Sequence, residues 1–360
     1  MNNNVRGSLL QLFGARVGVA ARWAVLRALP LMLLLQLDIG HAQQLSRPSS
    51  ILSQEVSFKR FDKVELGPRE PCPAWLAVGD EAVCRLLQVV YRDVYLSGFL
   101  LTRAVPSDQL VIYHAGHEAG AALEGLARSD ELLILPDAAS FVGRLFAQDA
   151  DVLVLFMPGT GFAPRDQPPS VQRIFQVVSN HSAFALLDSQ GDSAAAYFIA
   201  HVRGFLDRFA APYRSIVMVG RSGGGYSTTL AAAHDTRIMC SVSFFGSLPI
   251  RLRLPTEADL RDDLGDFEQY GLYLFKRMDY TDLYALATQP RRRHVQVYNE
   301  EDNCCFSGFD KGRRVAELFR RQYPAVRGFD VEFLPKRSEA DHYNLDESAF
   351  SVLQSKCNLR

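Results

Sequence analysis

Residues 217–229 read VMVGRSGGGYSTT, and this stretch decides the fold. An apolar run, 214–220, ends in Gly220. Ser222 follows between small residues, and residues 224–234 then have the composition of a helix. Gly220-Arg221-Ser222-Gly223-Gly224 satisfies G-x-S-x-G, and it lies between a strand and a helix, where a nucleophile elbow belongs. The pattern has a steric reason. A serine on a sharp turn projects its hydroxyl only if nothing bulky stands two positions away, and Gly220 and Gly224 meet that condition. The N–H of Gly223 then lies at the helix N-terminus, where it can hold a developing oxyanion. A phosphate-binding glycine loop is the other reading. It is disfavoured because the Lys-Ser/Thr of a P-loop and the spacing of a dinucleotide loop are both missing.

Working outward, short apolar runs alternate with helical spacing. Strands are expected at 87–91, 95–101, 109–114, 151–159, 214–220, 238–246, 294–299 and 329–334. Helices are expected at 139–150, 194–209, 224–234, 311–323 and 347–356. Continuous apolar strands separated by helices imply a doubly wound, mostly parallel α/β sheet covered on both faces. Ligands of such sheets collect at the carboxyl ends of the strands, here the loops after Val219, Asn299 and Leu334.

A serine nucleophile needs a base, and the base an orienting acid. In this arrangement both follow the serine. Three histidines do: His234, His294 and His342. His234 closes the helix that Ser222 begins, and His294 opens a strand at the wrong end of the sheet. His342, in KRSEADHYNL just past the strand 329–334, is the expected base. The acid should follow the strand 294–299, where the chain reads EEDNCC. Asp302 is the expected acid and Glu301 the runner-up. The second oxyanion donor is expected in HAGHEAG, 114–120, from the N–H of His117 or Gly116. A tight turn without a catalytic part is the competing reading of that segment.

HAGHEAG, GRSGG, Asp302 and His342, in this order, resemble the α/β-hydrolase superfamily over about residues 87–356. The text FFGSLPIRLR, GDFEQY, DYTDLYAL and YNEEDNCCFSG resembles a little-characterised bacterial branch of it, distinguished by an acid loop followed by CCFSG. The resemblance implies a Ser-His-Asp hydrolase needing no metal or organic cofactor. It departs from the family in having no plain HGG in the oxyanion loop and three carboxylates in the acid loop. The resemblance also implies that the insertion at about 248–292 forms a cap. Its Phe267, Tyr270, Tyr273, Phe275, Tyr280 and Tyr284 would then either shape a pocket or pack the cap's own core.

Composition sets the remaining bounds. Of 360 residues 48% are hydrophobic and 22% charged, enough for a substantial core. The formal net charge of -1 offers no general attraction to nucleic acid. Arg6, Arg16, Arg22 and Arg27 precede the apolar run 28–37, and Gly40 and Ala42 follow with small-x-small spacing. Residues 1–42 therefore read as a signal peptide. The run is shorter than the roughly 20 residues of a membrane span, so no span is expected after cleavage. Residues 43–86 read as an irregular extension. Export gives meaning to the six cysteines. Cys72 and Cys84, flanking a short segment, are the expected disulfide, and Cys240, Cys304, Cys305 and Cys357 stay open. Their spacing matches no zinc pattern. The expected function is an exported carboxylic ester hydrolase acting on a small-molecule or polymer-borne ester. A peptidase or amidase with the same triad, and a non-catalytic binding protein on the same scaffold, are the alternatives. Oligomeric state is not legible.

Overall fold

The computed structural model describes residues 44–58, 60–76, 78–92, 94–105, 107–117, 136–158, 184–185, 187–188, 193–253, 266–289, 291–300, 309–335 and 345–359. The chain divides into a short unit, Met1–Arg47, described only at the helical residues 44–47, and a main unit, Pro48–Arg360. The expected signal peptide, Glu301, Asp302, the CCFSG cysteines and His342 lie outside the described residues.

The main unit is built on a sheet of ten described strands. They are β1 (Lys63–Leu66), β2 (Glu70–Pro71), β3 (Val83–Tyr91), β4 (Val94–Thr102), β5 (Gln109–His114), β6 (Asp151–Leu155), β7 (Ser215–Arg221), β8 (Cys240–Phe244), β9 (Arg293–Asn299) and β10 (Phe329–Leu334). Their order is β1-β3-β4-β6-β5-β7-β8-β9-β10, with β2 also pairing β3. From β6 to β10 every pairing is parallel, whereas β1, β2, β3 and β4 pair antiparallel. This is the doubly wound, mostly parallel sheet that the alternation of runs implies. The strands β1 and β2 fall in the stretch expected to be irregular. They are four and two residues long, and no residue of either is fully buried, so neither carries an apolar run to read.

The stretch 43–86, expected to be irregular, is also helical at 44–55. The α-helices that follow are α1 (Pro136–Ala147), α2 (Ala200–Phe209), α3 (Gly223–His234), α4 (Phe267–Tyr270), α5 (Tyr280–Ala287), α6 (Phe309–Gln322) and α7 (Glu347–Cys357). The central strands are buried at nearly every position because both faces are covered. Val111, Tyr113, Val152, Val154, Val217, Val219, Val242, Val295 and Val297 point to one face. There they form a single core with Phe141 and Leu145 of α1 and Phe350 and Leu353 of α7. The intervening Ile112, Ile216 and Met218 are equally buried on the other face, where α3 packs against β5, β7 and β8.

Among the described residues two disulfides are present. Cys72 is joined to Cys84, the pair expected from sequence. Cys240 at the start of β8 is joined to Cys357 at the end of α7, a pairing that no sequence spacing disclosed. No helix among the described residues is long and apolar enough to cross a membrane.

Candidate active site

The elbow has the geometry its glycines require. Ser222 has φ 54 and ψ -125, in the positive-φ region that a residue with a side chain enters only at a cost of order 1–3 kcal/mol. Its N–H donates to the carbonyl of Phe244 at 2.8 Å, and its carbonyl accepts the first bond of α3 from Tyr226 N–H at 3.1 Å. The strained residue is thus fixed on both sides by backbone.

The surrounding backbones close in to distances that exclude side chains. A Cβ on Gly220 would stand 2.2 Å from the carbonyl oxygen of Gly224, and one on Gly224 would stand 2.0 Å from that of His114. The end of β5 therefore presses on the first turn of α3. The turn beyond β5 meets the elbow itself, since a Cβ on Gly116 would lie 3.0 Å from Ser222 Cβ and 2.6 Å from the Arg221 carbonyl oxygen. Gly223, the first residue of α3, has Met157 Cε and the His117 ring against it, at 2.7 and 2.8 Å from where a Cβ would be. Ser222, Gly223, Gly116 and His117, four of the residues singled out in the sequence, are thus brought together.

Arg221 is wholly buried, an unusual place for a guanidinium. Its Nη1 donates to Asp137 Oδ2 at 2.5 Å. The same carboxylate oxygen accepts from Leu345 N–H at 3.3 Å. Asp137 stands in the first turn of α1, where the helix dipole favours an anion. The pair connects the residue before Ser222 to the chain three residues past His342. Sequence alone did not disclose it. The signal available was an arginine inside an otherwise apolar elbow.

The other two histidines downstream of Ser222 are engaged in the fold. His234 Nε2 donates to the Val56 carbonyl at 2.9 Å, and burial lowers the ring's pKa. Gln296 Nε2 donates to His294 Nε2 at 2.7 Å, which leaves the proton on Nδ1 to be donated to Ser241 Oγ, also at 2.7 Å. Burial, with the charge of Arg292, pushes His294 down to about 3. Below the elbow, burial pushes His114 down to about 4 and lowers His201 well below its ordinary value. The two rings meet edge to face at 4.9 Å. Each of these four is a neutral packing histidine near pH 7.

The insertion after β8 supplies two carboxylates beside the turn that follows β5. His117 Nδ1 is 3.2 Å from Asp266 Oδ2, and His117 Nε2 is 3.5 Å from Glu268 Oε1. Of the six aromatics in this insertion, Tyr280 and Tyr284 are fully buried. Tyr280 stacks on Phe275, and Tyr284 stacks on His294 and Phe329. Those residues pack the core.

The same chain trace occurs in solved structures. A structure titled Methylesterase BT1017 superposes with a TM-score of 0.53 at 16% identity, over 89% of this chain and 62% of that one. The chain thus spans less than two thirds of that protein's length. A glucuronoyl esterase from Solibacter usitatus superposes with a TM-score of 0.55 at 13% identity, over 87% of this chain and 92% of that one. The chain has the α/β-hydrolase fold. At these identities the likeness is one of fold. No protein-family profile matches the sequence, and no curated protein sequence does. Within the α/β-hydrolase fold, Ser222 occupies the turn between a central parallel strand and its following helix, at the carboxyl edge of the sheet.

Proposed function

We propose that the protein is an exported serine hydrolase that cleaves carboxylic esters, of a small molecule or borne on a polymer, through Ser222, His342 and Asp302. Ser222 Oγ attacks the ester carbonyl while His342 accepts its proton. Asp302 holds the imidazole in the tautomer that leaves one nitrogen facing the serine. The oxyanion is met by the N–H of Gly223 and by an N–H of the turn at Gly116 and His117. The tetrahedral intermediate collapses as His342 returns the proton to the departing alcohol. A water activated by the same imidazole then releases the acid from the acyl-enzyme.

The observation that carries this reading is the backbone of Ser222. Holding a serine at φ 54, with glycines whose added Cβ atoms would collide with neighbouring backbone, is costly, and nucleophile presentation explains the cost. Three further observations support it. His234 and His294 are engaged elsewhere, which leaves His342 as the downstream base. The Arg221–Asp137–Leu345 connection brings the chain just beyond His342 toward the elbow. Both superposed structures carry titles naming esterases. Export is supported by two disulfides, which persist in oxidising compartments.

The test is steady-state hydrolysis of p-nitrophenyl acetate by the wild type and by single variants. His342→Asn and Asp302→Asn are expected to lower kcat by about 10³-fold or more, with Glu301→Gln near wild type. Full activity in His342→Asn would overturn the assignment of the base. A fall in Glu301→Gln alone would move the acid by one residue.

A further inference from the structure

We infer that the amino edge of the sheet, opposite Ser222, carries a basic groove that binds a linear acidic polysaccharide through its repeated carboxylate or sulfate groups. The inference does not rest on Ser222 being a nucleophile.

Three adjoining hollows of about 540, 490 and 430 Å³ make the groove. The first is lined by Gln109, Ser215, Cys240 and Arg293, which open the parallel strands β5, β7, β8 and β9. It shares Arg214 and Met239 with the second, and the second shares Arg208 and Tyr213 with the third. The third reaches Asp151, which opens β6, and Arg85 near the start of β3. From β3 to β9 the sheet runs β3-β4-β6-β5-β7-β8-β9, a span of roughly 30 Å at the usual strand spacing.

The groove gathers positive charge in a chain whose formal net charge is -1. Arg69 and Arg85 line one end, Arg208 and Arg214 the middle, and Arg291 and Arg293 the other end. Among the described residues only Arg214 of these has a carboxylate within 4.0 Å, Asp108 at 3.9 Å, and both side chains are largely exposed. Arg85 donates to the carbonyls of Gly67 and Leu66, at 2.8 and 3.2 Å, and Arg293 to that of Lys356 at 2.9 Å. Neutral partners fix these two guanidiniums and leave their charge in place. The other acids of the lining offset little. Asp207 is taken up by Arg203 and Arg237. Asp151 accepts from the Tyr213 hydroxyl, and burial raises its pKa. Lys356, paired with Asp330 and Glu332, adds nothing to the excess.

Complementing helix dipoles accounts for part of the set. Arg208 lies in the last turn of α2, and Arg293 holds a carbonyl at the end of α7. Arg69, Arg85, Arg214 and Arg291 lie outside helices, so capping does not explain them. A cleft lined by one sign of charge concentrates ligands of the other, and each guanidinium offers a planar fork to an oxyanion. Cations spread over such a length match a chain of repeated anions better than one small ion. Stacking platforms for nucleic-acid bases are a poor match to the described lining. Its two aromatics are engaged, Tyr213 with Asp151 and Phe209 against Phe205 at 5.7 Å.

The test follows binding of labelled polygalacturonate and dextran sulfate to the untagged mature protein by fluorescence anisotropy, with neutral dextran and a DNA duplex as comparisons. At least one acidic polysaccharide is expected to bind, more weakly as NaCl rises, and the preferred one names the anion. Neutral dextran is expected not to bind. The Arg208→Ala, Arg291→Ala double variant, at exposed positions, is expected to bind at least tenfold more weakly with Tm unchanged. The Arg60→Ala, Arg314→Ala double variant removes the same charge outside the groove. It and Ser222→Ala are expected to bind as the wild type does. Absence of binding to both acidic polysaccharides would overturn the inference, and so would equal weakening by the two double variants. Tighter binding of the DNA duplex at equal salt would assign the groove to nucleic acid and overturn it as well.

Discussion

Arg221 Nη1 lies 2.5 Å from Asp137 Oδ2, and that oxygen also accepts the Leu345 N–H. This ion pair, of a buried Arg221 and a part-exposed Asp137, thereby joins the elbow, the first turn of α1 and the chain entering α7. Replacing Asp137 removes a charged partner from the buried Arg221 guanidinium. Asp137→Ala is therefore expected to lower unfolding stability by about 3 kcal/mol in a urea melt, while Arg221→Met with Asp137→Leu recovers most of the loss. A cost under roughly 1 kcal/mol for Asp137→Ala would show that the pair is not a structural link.

The glycines of the elbow make a sharper prediction. Gly224→Ala places a methyl 2.0 Å from the His114 carbonyl oxygen, backbone that has no room to yield. Gly220→Ala meets the Gly224 carbonyl oxygen at 2.2 Å. Each should destabilise by about 1–3 kcal/mol or more and reduce ester turnover at least tenfold, because relief requires moving the turn that presents Ser222. Parallel thermal melts and p-nitrophenyl acetate assays check both. Gly67→Ala, where the nearest heavy atom to an added Cβ is 3.5 Å away, is the control.

What was legible in the sequence follows from the range of the interactions. The elbow could be read because its determinants, Gly220 to Gly224, are contiguous and their steric reason is local. The parallel sheet could be read because two covered faces leave apolar runs such as VLVL, 152–155, in β6. The edge strands β1 and β2 could not, being short and half exposed. The Arg221–Asp137 pair, the Cys240–Cys357 bridge and the His117–Asp266–Glu268 cluster escaped for a common reason. Each joins residues that only the completed fold brings together, with no spacing to betray them. Tyr280 and Tyr284 had two readings, pocket or core, and burial decides for core.

The buried histidines set a pH dependence of stability. In the fold His114 stays neutral down to about pH 4 and His294 to about 3, and His201 and His234 are also lowered. In the unfolded chain each takes a proton below about 6.5. The unfolded state therefore binds more protons between pH 6.5 and 4, and stability falls as the pH drops through that window. Each histidine contributes a slope approaching ~1.4 kcal/mol per pH unit at the lower end. Urea melts at pH 7 and pH 5 should show the loss, and His294→Gln should flatten the slope by about one proton. Equal stability at both values would contradict the buried, neutral assignment.

The Cys240–Cys357 bridge closes a long loop, with a sequence separation of 117. A loop of that size restricts the unfolded chain by the equivalent of about 4–5 kcal/mol. The Cys240→Ala, Cys357→Ala double variant should accordingly lose about 2 kcal/mol more than the Cys72→Ala, Cys84→Ala double variant, whose cysteines are separated by 12 residues. Denaturant titration under oxidising conditions compares them.

The central claim is that Ser222 is an activated nucleophile. The most direct measurement is labelling of the folded mature protein with a fluorophosphonate, followed by peptide mass spectrometry, with Ser222→Ala as control. The account predicts one adduct, on the peptide containing Gly220 to Gly225, absent from Ser222→Ala and slowed at least a hundredfold in His342→Asn. An unlabelled Ser222 in folded wild-type protein would contradict it, and the scaffold would then be one that binds without catalysing.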